Sequence, residues 1–128
     1  MKDNLPVVLA IDDEHTIRDL IRYTLEPEKM IVLTAENGKA GLHILETEPV
    51  DVIITDLLMP LMTGLEFLRE IKNRKSTVPV IIITAYGNID MAKQILSEGV
   101  FKLLEKPLDF SVLVPIVKDA LTNPKKKK

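Results

Sequence analysis

Three aspartates and a lysine stand where strand-like apolar runs end. Asp12 and Asp13 follow Val7 to Ile11, Asp56 follows Val52 to Thr55, and Lys106 comes just after Phe101 to Leu104. A fourth run, Val80 to Ile83, ends at Thr84. Carboxylates are hard oxygen ligands for a divalent cation, and one of them can serve as a nucleophile. A hydroxyl and an ammonium group can meet the charge of a phosphoryl group. If the strands lie parallel and side by side, their carboxyl ends bring these groups to one sheet edge, as a site for a metal ion and a phosphoryl group. Taken singly, each residue has a plainer explanation: Asp12 and Asp13 as caps of a following helix, Asp56 as a turn acid, Thr84 as a strand residue, Lys106 as a surface lysine before proline. Their joint placement favours the chemical reading.

The elements that must position them alternate along the chain. After the first strand, Ile17, Leu20, Ile21 and Leu25 recur at helical spacing up to Pro27. Met30 to Ala35 reads as the second strand, and Asn37-Gly38 turns the chain into a helix with Leu42 and Leu45 inward and Gly41 close to the sheet. Val50 to Thr55 is almost wholly apolar, the composition of a central parallel strand covered on both faces. Thr63 and Glu66 form a capping-box pattern ahead of Leu65, Leu68 and Ile71. Pro79 to Ile83 is the next strand, a fourth helix runs from about Asn88 to Glu98 and ends at Gly99, and Phe101 to Leu104 is the last strand. Leu113, Val117, Ala120 and Leu121 mark the last helix, in which Pro115 either removes a backbone hydrogen bond or delays the start. Five strand–helix units imply an α/β fold, a flavodoxin-like (βα)5 doubly wound parallel sheet of strand order 2-1-3-4-5. Its crevice opens between strands 1 and 3, where Asp13 and Asp56 end.

Composition narrows the setting. The 128 residues fit one domain of ordinary soluble character, with 46% hydrophobic and 28% charged residues. Without cysteine there is neither a disulfide nor a thiolate zinc site. No apolar stretch approaches the ~20 residues of a membrane span, and the first residues do not resemble a signal peptide, so a cytoplasmic location without membrane contact is expected. The net charge of −2 includes the terminal lysines Lys125 to Lys128, and the body without them carries −6. That tail, residues 123–128, reads as a solvated end after a domain of residues 1–122. With few aromatics and no basic helical stripe, direct nucleic-acid binding is not expected.

Four motifs, Ile11-Asp12-Asp13-Glu14, Thr55-Asp56-Leu57-Leu58-Met59-Pro60, Thr84-Ala85 and Lys106-Pro107, together resemble the receiver domain of two-component response regulators over almost the whole chain. Tyr86-Gly87 and Gly99-Val100-Phe101 resemble receivers of the nitrogen-regulatory type. The resemblance implies that Asp56 is the phosphoacceptor. It implies that Mg2+, with Mn2+ as a substitute, is held by Asp12, Asp13, Asp56 and the Leu58 backbone carbonyl, and that Thr84, the Ala85 backbone and Lys106 stabilise the phosphoryl group. Thr84 and Leu103 would form the switch, and Leu58 and Tyr86 the positions that set the rate of dephosphorylation. A cis Lys106-Pro107 bond is a further expectation. The implied partners are a histidine kinase or phosphotransfer protein and an output protein or detached effector domain, with a homodimer through helix 4, strand 5 and helix 5. The chain is then a switch that assists its own phosphorylation and slow dephosphorylation rather than an enzyme.

Two other classes share parts of this pattern. An aspartyl-phosphate phosphohydrolase would need a second Asp two residues after the nucleophile, where this chain has Leu58. A flavin carrier of the same topology would need a phosphate loop rich in Ser, Thr and Gly, where this chain has Asp12-Asp13-Glu14. Receivers usually carry Tyr or Phe three residues before the lysine, and Leu103 departs from that. Met59, Met62 and Met91 read as packing, Glu14 as a first-turn helix acid, and His15 and His43 are assigned no role.

Overall fold

The computed structural model describes residues 4–85 and 89–122. Five strands, β1 (Val7–Ile11), β2 (Ile31–Ala35), β3 (Val52–Asp56), β4 (Val80–Thr84) and β5 (Lys102–Glu105), alternate with five helices. The helices are α1 (His15–Leu25), α2 (Gly38–Thr47), α3 (Gly64–Asn73), α4 (Ile89–Ser97) and α5 (Phe110–Thr122), and a short 3-10 turn, Glu26–Glu28, follows α1. All neighbouring strands pair in parallel in the order β2-β1-β3-β4-β5. Right-handed crossovers then place the first and last helices on one face and the middle three on the other.

The period-two alternation of the strands splits the core between those faces. Val8 and Ala10 of β1, Val52 and Ile54 of β3, and Ile81 and Ile83 of β4 pack with Ile21 and Leu25 of α1 and Leu113, Val117 and Ala120 of α5. Leu9, Ile11, Ile53 and Ile82 face the other way, onto Leu42 of α2, Phe67, Leu68 and Ile71 of α3, and Ile95 of α4. Every residue of β3 and β4 is buried, as apolar runs covered on both faces require. Gly41 permits the close approach of α2, since a Cβ there would lie 2.5 Å from Ile11 Cδ1.

Several element ends differ from the sequence reading. Val50 and Asp51 precede β3 in a turn, where the Asp51 carboxylate accepts the Val7 N–H at 2.8 Å, and Asp56 is the last residue of β3, paired with Ile83. Met30 lies just outside β2, after Lys29 turns the chain with a left-handed φ of 66°. Glu14 is the N-cap of α1 rather than a first-turn acid: its backbone is extended and its side chain makes no cap bond. Pro115 lies inside α5 and does not delay it. The helix starts at Phe110 after the Asp109 carboxylate has accepted the N–H and hydroxyl of Ser111 at 2.9 and 2.6 Å. The capping box at α3 forms as expected: Thr63 Oγ1 accepts the Glu66 N–H at 3.1 Å and Glu66 Oε1 accepts the Thr63 N–H at 2.9 Å. The expected start of the fourth helix at Asn88 and the lysine tail lie outside the described residues.

Candidate functional site

At the carboxyl edge of the sheet the crossover direction reverses between β1 and β3, so the helices that follow these two strands leave on opposite faces. Asp12 and Asp13, just past β1, therefore meet Asp56, the last residue of β3. One carboxylate oxygen from each of the three lies within 4.8 Å of the others. Asp12 and Asp56 are buried, at 1% and 4% exposure, while Asp13 is exposed toward solvent. The plainer reading of Asp12 as the cap of α1 does not hold, since Glu14 is the N-cap; Asp12 Oδ1 accepts the Glu14 N–H at 2.9 Å, which holds it in the turn.

Lys106 reaches this cluster from beyond β5. Its N–H donates to the Thr84 carbonyl at 2.8 Å, continuing the β4–β5 ladder, and the Lys106-Pro107 bond is cis. Its Nζ donates to Asp56 Oδ2 at 3.1 Å, while Asp56 Oδ1 accepts the Leu57 N–H at 2.9 Å. Of the three carboxylates, Asp56 is the one that Lys106 pairs with among the described residues. Thr84, at the end of β4, is buried, and its hydroxyl donates to the Ala85 carbonyl at 3.1 Å.

Charge explains the state of these groups. Burial pushes the Asp12 carboxyl up to about 6; the Glu14 N–H lowers it, and the neighbouring Asp56 charge raises it further. Burial likewise raises Asp56, against the hydrogen bond and charge of Lys106, with Asp13 adding to the rise. For Lys106, burial disfavours the ammonium, but the Asp56 hydrogen bond and the charges of Asp56, Asp12 and Glu14 outweigh it and hold the lysine above its usual range. Three carboxylates sharing a single ammonium remain under-compensated. An all-oxygen donor set of this size and charge fits a hard divalent cation such as Mg2+, which commonly takes one or two carboxylates and keeps several waters.

Leu58, Leu103 and Tyr86 are the remaining expected positions. Leu58 lies two residues beyond Asp56 with its side chain 60% exposed. Leu103 sits on β5 opposite Ile82, half-buried against the core on the α3 side of the sheet. Tyr86 lies outside the described residues. Met59, Met62 and Met91 pack on that same core, and the two histidines are paired on exposed helix faces with Asp19 and Glu46. Two contributors were not singled out in the sequence. Gly64 closes the β3–α3 loop against Asp56, donating its N–H to the Leu57 carbonyl at 2.7 Å; a Cβ there would stand 2.6 Å from the Asp56 carbonyl oxygen. Its position right after Thr63, at the start of the capping box, was the available signal. Arg18 Nη1 donates to the Asp12 carbonyl at 2.6 Å. No sequence signal marks it beyond its place in the first two turns of α1.

Fold and site define a flavodoxin-like domain that gathers acids, a hydroxyl and an ammonium at its switch point. The chain belongs to the response regulator receiver domain family, whose profile matches residues 8–118. It is 40% identical to the transcriptional regulatory protein GlrR of Escherichia coli K12, over 89% of this chain and 26% of that protein. It is 35% identical to the DNA-binding transcriptional regulator NtrC of the same strain, over 91% of this chain and 25% of that protein. The chain thus spans about a quarter of the length of the curated relatives it matches. Among solved structures, a response regulator receiver domain protein from Clostridium thermocellum matches with a TM-score of 0.87 and 37% identity, covering 97% of this chain and 100% of that one. The relatives place the chain with receivers of the nitrogen-regulatory type. Phosphorylation of an aspartate in two-component signalling is the function of this family, and the chain is a signalling switch. No helix among the described residues is long and apolar enough to cross a membrane.

Proposed function

We propose that Asp56 accepts a phosphoryl group from a histidine kinase or phosphotransfer protein in a Mg2+-dependent reaction that the domain itself assists. The observation that carries this reading is the approach of Lys106 Nζ to Asp56 Oδ2, at 3.1 Å, inside a cluster whose three carboxylates lie within 4.8 Å of one another. A carboxylate oxygen of Asp56 attacks phosphorus, and the bond from phosphorus to the donor breaks with its electron pair leaving on the donor. Asp12, Asp13, Asp56 and the Leu58 carbonyl would hold the cation, with Mn2+ able to replace Mg2+. When bound, it offsets the carboxylate charge that otherwise repels the incoming group. Lys106 moves from Asp56 toward a phosphoryl oxygen, and the Thr84 hydroxyl turns from the Ala85 carbonyl toward another, joined by the Ala85 N–H. Leu103 follows Thr84, and the surface of α4, β5 and α5 changes, where an output protein, an effector domain or a second copy would read it. By resemblance to the family, positions 58 and 86 border the path of the hydrolytic water, and neither leucine nor tyrosine carries an amide or carboxylate to align it. The domain is taken as residues 1–122, with the tail outside it, and as working in the cytoplasm with the kinase.

Intact-mass measurement after incubation with acetyl phosphate and Mg2+ tests this. One added phosphoryl group is expected on the wild type, and none on Asp56→Asn or on wild type treated with a chelator. Equal phosphorylation of Asp56→Asn would overturn the assignment.

A further inference from the structure

Asp12 is held at its backbone N–H, its backbone carbonyl and one carboxylate oxygen. Its N–H donates to the Ala35 carbonyl at 3.1 Å as the last rung between β1 and β2, and its Oδ1 accepts the Glu14 N–H at 2.9 Å. Its carbonyl accepts from Arg18 Nη1 at 2.6 Å, a contact made by a side chain six residues later on α1. Arg18 is half-buried and forms no ion pair with a carboxylate among the described residues, although Asp13, Glu14 and Asp19 are near it in sequence and Asp19 faces His15 instead. A guanidinium is the side chain best shaped to grip a carboxylate. Here its bond goes to a backbone oxygen.

That oxygen belongs to the peptide joining Asp12 to Asp13. Fixing the plane of this peptide fixes ψ of Asp12 and φ of Asp13, and with them the directions in which both side chains leave the backbone. We propose that Arg18 is a positioning residue for the divalent cation, keeping the two adjoining carboxylates aimed at the space they share with Asp56. The proposal rests on the reading of that cluster as a Mg2+ site. Without the hold, the acids can turn apart and relieve their mutual repulsion, and a cation must then gather them again.

Arg18 acts on cation binding in two opposite ways, which makes the proposal testable by sign. As a positive charge near the cluster it repels a divalent ion, so removing the charge alone tightens binding, by a factor of about five at most for a solvent-screened charge. As a support for the ligands its removal weakens binding, and losing such an outer contact commonly costs about 10–100-fold. The second effect is the larger.

Isothermal titration of the full chain with MgCl2 compares wild type, Arg18→Gln and Arg18→Lys, with circular dichroism confirming the fold of each. The Mg2+ Kd of Arg18→Gln is expected to rise about tenfold. Arg18→Lys keeps the charge but loses the reach and planar fork of the guanidinium, so it too is expected to bind more weakly than wild type. Phosphorylation by acetyl phosphate should need more Mg2+ for half its maximal rate in both variants, while the rate at saturating Mg2+ stays near that of wild type. Either variant binding Mg2+ as tightly as wild type, or a limiting rate that stays depressed at saturating Mg2+, overturns the proposal. A wild type that takes up no Mg2+ overturns the reading of the cluster itself, and the two failures are told apart by the wild-type titration alone.

Discussion

Asp12 is the residue at which the cost of the site is concentrated. A carboxyl raised from 3.8 to about 6 by burial is better protonated in the folded chain than in the unfolded one. The folded state therefore binds more protons between these two values, and the stability of the metal-free protein falls as pH rises through that window. The cost is absent below the lower value and complete above the upper one. Asp12→Asn keeps an oxygen to accept the Glu14 N–H and removes the charge. Chemical denaturation without metal should show the variant more stable by roughly 1–3 kcal/mol above neutral pH, with the gain vanishing in acid. Mg2+ should stabilise the wild type more than the variant; an equal or lower stability of Asp12→Asn at high pH would refute this account of the site. At the same scale, hydrolysis of the acyl phosphate needs a water aligned with the departing oxygen, and in the proposed reading neither Leu58 nor Tyr86 carries an amide or carboxylate to align it. Phosphorylated Leu58→Asn, Tyr86→Glu should lose its phosphoryl group faster than wild type in Mg2+. Equal or slower decay would show that these side chains do not gate the water.

At the scale of elements, α5 carries an internal defect. Pro115 has no N–H to donate to the Ser111 carbonyl one turn earlier, yet the helix runs on through it because Asp109 anchors its start and Leu113, Val117 and Ala120 bury its inner face. Pro115 itself is exposed, so replacing it disturbs no core contact. Pro115→Ala should restore the bond and raise the stability of the chain by about 1–3 kcal/mol, the scale set by a proline in a helix interior. Urea unfolding checks it, and a lower midpoint in the variant would mean that the proline's restriction of the unfolded chain outweighs the missing hydrogen bond. The α3 start shows the opposite case, a complete capping box that seats Gly64 against the Asp56 backbone.

Across the whole molecule, β1, β3 and β4 are fixed by cores on both faces, whereas β5 is an edge strand of four residues, only half-buried at its centre. The two groups expected to move, Thr84 and Leu103, lie on β4 and this edge. Change on phosphorylation should follow the least stable path available. Amide hydrogen exchange with and without acetyl phosphate and Mg2+ is expected to differ in α4 and β5 and to match in β2, the opposite edge strand, which carries no site residue. A change spread evenly over both edges, or unaltered exchange in Leu103→Ala together with unaltered phosphorylation, would separate Leu103 from the switch.

Much of this was legible in the order of residues. Apolar runs of strand length bounded by acids, glycine or proline marked the strands, most clearly β1, β3 and β4, because a strand buried on both faces must be continuously apolar, and the helical spacings of α1, α3 and α5 follow from the need to cover it. The motif residues were legible for the same reason, standing at strand ends where side chains leave the sheet. What only the tertiary structure decided is which of them touch. Lys106 meets Asp56 across 50 residues of chain because β4 and β5 add in register beside β3. Asp12 is buried and Asp13 exposed although the two are adjacent and bring carboxylate oxygens to one cluster, a difference set by how the turn after β1 seats against the sheet edge. The bond from Arg18 to the Asp12 carbonyl and the fit of Gly64 over Asp56 depend on how a helix or loop seats against the sheet edge, a matter of packing angle and distance that residue types along a chain do not encode.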